Sequence, residues 1–124
     1  SLTVLNTDQF TFYSFYNRVN ELTYSRWEGH IQNFFSSPQR SLLGRSNGRP
    51  WVTELEIWIQ ANGQFHSAHL LKESGIASLD MAAVQAFKDA GFFPNPPKEK
   101  IESDGLVRIR YRMNVYYDPK VVVR

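Results

Sequence analysis

Residues 51–75 read WVTELEIWIQANGQFHSAHLLKESG, and their period decides what kind of fold the chain adopts. Leu55, Ile57 and Ile59 alternate with Glu54, Glu56 and Trp58, the two-residue period of a half-buried strand. Asn62-Gly63 supplies the positive-φ residues of a tight hairpin turn, so antiparallel strands are expected at about 51–60 and 64–72. The apolar positions of the second strand pass from Phe65 to Ala68 and Leu70. A bulge or the turn must absorb that odd-to-even change.

Working outward, SGIASLDMAAVQAFKDAG (74–91) changes to a helical period, with Leu79, Ala83, Ala86, Phe87 and Ala90 on one side. Ser78 reads as its N-cap, Asp80 suits its first turn, and Gly91 ends it. Phe92 and Phe93 are then expected to cover the open end of the core, while Pro94, Pro96 and Pro97 hold the chain extended. GLVRIRYRMNVYYDP (105–119) alternates again, with Val107, Ile109, Tyr111, Met113 and Val115 opposite Arg108, Arg110, Arg112 and Asn114. It reads as a third strand ended by Asp118-Pro119.

Upstream, Phe12, Phe15, Tyr16, Val19 and Leu22 recur at three- and four-residue steps, predicting an amphipathic helix at about 8–28 capped by Asn6, Thr7 or Asp8. Gly29 weakens it, and Ile31, Phe34 and Phe35 could continue its buried face. Residues 36–50 (SSPQRSLLGRSNGRP), with Arg40, Arg45 and Arg49, read as a loop. The expected fold is therefore α+β: a three-stranded antiparallel or mixed sheet of order 2-1-3, with two main helices on one face. One domain is expected over 1–124, divided into a helical segment 1–35, a loop 36–50, a core 51–118 and a tail 119–124. On the free face, Glu54 and Glu56 meet Arg108, Arg110 and Arg112 as a cross-strand charge ladder.

Composition narrows the function. Fourteen basic against twelve acidic residues leave a net charge of +2, too small a field to imply nucleic acid. The absence of cysteine excludes disulfides and thiolate metal sites. No apolar run approaches the ~18 residues of a membrane span, and a first residue Ser1 rather than methionine suggests a processed chain or a fragment. His66 and His69 are three apart in a strand, where alternation sends them to opposite faces, and His30 belongs to another element, so no metal or cofactor is expected. No nucleophile–base pair or phosphate-cradling loop suggests an enzyme. Arginines beside Trp58 and Tyr116 would suit a single-stranded nucleic-acid binder, but the glutamates neutralise the same face.

Two strings taken together, NGQFHSAHLLKESGIASLDMAAVQAFKDAGFFPNPP (62–97) and DGLVRIRYRMNVYYDP (104–119), resemble the C-terminal domain of the TonB/TolA family of periplasmic energy transducers. The pattern is a turn glycine, an apolar strand, Ser74-Gly75, Leu79-Asp80, an alanine-rich helix, Phe93-Pro94, Pro96-Pro97 and a final alternating strand. The resemblance implies a periplasmic domain of a protein anchored in the bacterial inner membrane. Such a domain would be linked upstream to an ion-motive complex and would grip an extended peptide of an outer-membrane or envelope protein. The 36–50 loop lacks the Tyr-Pro motif that many TonB domains carry, so TonB-like and TolA-like envelope roles both stay open. With the first hairpin strand central, residues 106–117 become a sheet edge, and Arg108, Ile109, Arg110, Tyr111, Arg112, Met113 and Asn114 become the expected partner-binding residues. The same edge admits a homodimer. The plain alternative is an edge shielded by its arginines and the tail.

Overall fold

The alternation in 51–60 and 106–115 produces two long neighbouring strands whose odd residues are buried. In the computed structural model, which describes residues 1–36 and 49–116, the elements in chain order are β1 (Leu2–Val4), α1 (Tyr13–Phe35), β2 (Trp51–Gln60), β3 (Phe65–Lys72), α2 (Ala77–Ala90) and β4 (Leu106–Val115). The sheet has the order β1-β4-β2-β3, and each neighbouring pair is antiparallel. The expected arrangement of β3, β2 and β4 is present. The sheet has four strands rather than three, because residues 2–4 add a strand outside β4.

Leu55, Ile57 and Ile59 of β2 and Val107, Ile109, Tyr111 and Met113 of β4 are buried under the two helices. From α1 come Phe15, Tyr16, Val19, Trp27, Ile31 and Phe34, and from α2 Leu79, Ala83, Ala86 and Phe87. Helix α1 begins later and ends later than its apolar period suggests. Burial of Ile31 and Phe34 carries it past Gly29, offsetting a helix-interior glycine's cost of about 1 kcal/mol. At its start Phe12 is the N-cap and no side chain caps it. Two of the expected capping groups are used elsewhere: Asp8 accepts from Tyr16 Oη (2.6 Å) and Lys100 Nζ (2.7 Å), and Asn6 turns to β4. Likewise Ser78 lies inside α2 rather than at its cap, which is Ile76. Asp80 is buried and accepts hydrogen bonds from the Thr53 hydroxyl (2.7 Å) and the Ser74 backbone N–H (3.0 Å), fastening the start of β2 to the first turn of α2.

The hairpin turn and the proline corner form one joint. Gly63 alone has positive φ (+95°) in the turn, while Asn62 instead accepts the Gln64 N–H through its side chain. The Phe93 N–H donates to the Gly63 carbonyl at 2.7 Å. Gly91, with φ 71°, ends α2 and accepts from the Phe65 N–H. Phe93 is fully buried, whereas Phe92 is half exposed, so a single ring closes the core. Arg18 of α1 donates to the Pro94 and Asn95 carbonyls, tying the helix to the same corner. Most of the 36–50 loop and the tail from 117 onward lie outside the described residues.

Candidate functional site

Strand β4 pairs with β2 in unbroken register from Trp51↔Val115 to Gln60↔Leu106. Such regularity sends the backbone groups of alternate β4 residues inward to β2 and those of the others outward. The outward set is even-numbered: Asn114 exchanges hydrogen bonds with Ser1 (2.8 and 2.9 Å), and Arg112 lies opposite Thr3. The Arg110 carbonyl accepts from the Leu5 N–H at 2.8 Å, and its own N–H donates to Asn6 Oδ1 at 2.8 Å. Asn6 Nδ2 reaches the Arg108 carbonyl at 3.4 Å.

One expectation is corrected here. The strand expected as a bare edge at 106–117 is covered over its described residues, because residues 1–6 run along it. The seven residues expected to meet a partner divide by parity, as their alternation implies. Ile109, Tyr111 and Met113 turn their side chains into the core, where burial raises the Tyr111 phenol well above its ordinary range. Arg108, Arg110, Arg112 and Asn114 combine outward backbone groups with side chains on the solvent face.

The charge ladder takes a specific form on that face. Arg112 Nε pairs with Glu54 at 3.1 Å and Arg110 Nε with Glu56 at 3.0 Å, both directly across the strands. Burial works to raise the Glu56 carboxyl, but hydrogen bonds from Trp58 and Arg110 outweigh it and hold the group below its usual value. Arg108 departs from the ladder, joining Glu102 (2.9 Å) and Asp104 (2.6 Å) while its guanidinium lies 4.4 Å from the Trp58 ring centre. It is therefore held more firmly than Arg110, whose side chain is 61% exposed against 24% for Arg108.

The opposite edge is different in kind. The register of β3 on β2 shifts twice, between Glu54 and Leu55 and between Trp58 and Ile59. The second shift reverses the facing of His66, so that His66 and His69 both contact the Ser67 hydroxyl (2.8 and 2.9 Å) and lie beside Trp58, contrary to simple alternation. His30 is distant from them and pairs with Asp89 at 2.8 Å. Among the described residues no three acidic, histidine or cysteine side chains form a metal-binding group, and no helix is long and apolar enough to cross a membrane. Sequence reasoning missed β1, although Leu2-Thr3-Val4 does alternate.

The family model described as Gram-negative bacterial TonB protein C-terminal matches residues 43–113, more than half of the chain. The solution structure of the Helicobacter pylori TonB C-terminal domain is similar over 77% of this chain and 81% of that one, at 18% identity and a TM-score of 0.47. No curated protein sequence matches.

Proposed function

We propose that this chain, which belongs to the Gram-negative bacterial TonB C-terminal family, is a periplasmic domain that grips an extended segment of an outer-membrane protein along the outer edge of β4 and transmits force to it. The observation that carries this reading is the even row from Arg108 to Asn114. Its outward backbone groups follow an uninterrupted strand, and a short extended segment already bonds to them.

Main-chain hydrogen bonding supplies affinity in strand addition, and neighbouring side chains supply preference. Arg110 and Arg112, exposed and only laterally paired with Glu56 and Glu54, favour a polar or acidic segment. The double register shift makes β3 a poor template for a straight added strand, since bulges twist an edge away from incoming chains. A pull along the axis of an added strand loads its hydrogen bonds together in shear, which suits force transfer without any catalytic group. Anchoring in the inner membrane and coupling to an ion-motive complex belong to the same proposal and rest on the family alone.

The test is amide chemical-shift mapping during titration with extended peptides from candidate outer-membrane proteins. Perturbation of the Arg110 and Arg112 amides is expected, weakening but persisting as salt is raised. Shifts confined to α1 or β3, with 106–115 silent, would overturn the reading.

A further inference from the structure

We propose that residues 1–6 are a displaceable internal strand that occupies the partner's place on β4 and sets how readily the edge opens. This rests on the strand-addition reading above and concerns the regulation of that same edge.

Residues 1–6 engage outward groups of all four even residues from 108 to 114. Any strand added along this row, running in either direction, needs those same groups, so partner and internal strand exclude each other. The internal strand is also weakly held. None of residues 1–6 is fully buried, and only Leu2 and Val4 lean on the core from the ladder itself. The neighbouring strands β2 and β4, in contrast, bury every inward residue from 55 to 59 and from 107 to 115. Segments with few buried apolar contacts open locally, below the free energy of global unfolding.

The end of the segment shows where a competitor gains. After Leu5 the backbone leaves the edge for the turns that lead to α1, and Asn6 bridges the remaining distance with its carboxamide. That side chain stands in for a peptide group, with one of its two bonds stretched to 3.4 Å. A continuous strand presents true peptide groups at Arg110 and Arg108 and extends toward Leu106. The edge is thereby kept satisfied in the absence of a partner, while a longer extended segment displaces its occupant. The apparent affinity for a partner is reduced by the fraction of molecules whose edge is open.

The experiment compares the full chain with a Thr3→Pro variant, in which proline removes an N–H from an exposed ladder position without touching the core. Native-state hydrogen exchange of the unaltered chain is read first. The outward amides of Arg110 and Arg112 are expected to exchange at least about tenfold faster than the inward amides of Ile109, Tyr111 and Met113. A synthetic peptide copying residues 1–6 (SLTVLN) is then titrated into both proteins. It is expected to shift the Arg110 and Arg112 amides of the variant with an affinity at least about tenfold above that for the unaltered chain. Concerted exchange of both amide sets, with equal peptide affinity for the two proteins, overturns the internal strand as a competitor and leaves strand addition standing. Early exchange at Arg110 and Arg112, with peptide-induced shifts falling only outside β4 in the variant, overturns strand addition itself.

Discussion

A methyl group added at Gly63 would sit 2.4 Å from the Phe93 carbonyl oxygen, on a backbone whose φ of +95° already excludes most side chains. Gly63→Ala is therefore expected to destabilise the protein by at least about 1–3 kcal/mol, read as a fall in the urea midpoint. An unchanged midpoint would mean that turn and corner are not locked together. On the other side of that contact, Phe93→Ala empties a fully buried ring site, with an expected loss of about 3–5 kcal/mol, whereas Phe92→Ala should cost far less. Residue-scale detail was only partly legible in the sequence. The run of aromatics and prolines pointed to a plug made by Phe92 and Phe93, with Phe93 the better placed because Pro94 fixes the backbone after it; that Phe92 stays half exposed was not legible, because the turn that holds the Phe93 backbone lies thirty residues upstream. The facing of His66 was hidden for a related reason: the odd-to-even change announced an extra residue, and only pairing with β2 locates it.

The two long strands and α2 were plain from periodicity because each buries a regular face. Helix α1 was legible in its face and not in its ends. The side-chain oxygens of Asn6 and Asp8 offered a local cap, yet long-range partners in β4 and at Lys100 took them. Strand β1 is three residues long and has no turn to its partner, so nothing local separated it from any other short alternating run. Its absence from the expected fold is what turned an occupied edge into a bare one. Between elements, Asp80 joins β2 to α2 through buried bonds to Thr53 and Ser74. Asp80→Ala leaves those donors unpaired, and a loss of about 2–3 kcal/mol is expected, against little change for Met81→Ala on the exposed side of the same helix. Equal effects of the two substitutions in a denaturant titration would remove Asp80 from that fastening role.

Across the whole molecule, Asp8 joins the first turns of α1, through Tyr16, to Lys100, 92 residues away along the chain. Its partial burial works to raise its pKa, but hydrogen bonds from Lys100 and Tyr16 prevail and keep it below the ordinary aspartate value. A carboxyl depressed in the folded state contributes stability above its unfolded pKa of about 3.9, and that contribution is lost as pH falls through the lower folded value. Stability should thus decline as acid is added below about pH 4, and Asp8→Asn should flatten that part of the profile. Identical acid slopes in the two proteins, measured as urea midpoints, would assign the sensitivity to other carboxyls.

The irregular pairing of β3 has a consequence for how many molecules can join. A sheet with two regular edges is divalent and can pass hydrogen bonding from one copy to the next without end. With residues 1–6 displaced, this sheet would have one regular edge, β4, and one interrupted by two register shifts. Two copies meeting through β4 would use the same surface on each side, forming a closed two-fold pair with no strand left over for a third. On the proposed strand-addition reading, the double shift would make the domain a monovalent joint, able to terminate a sheet but not to propagate one.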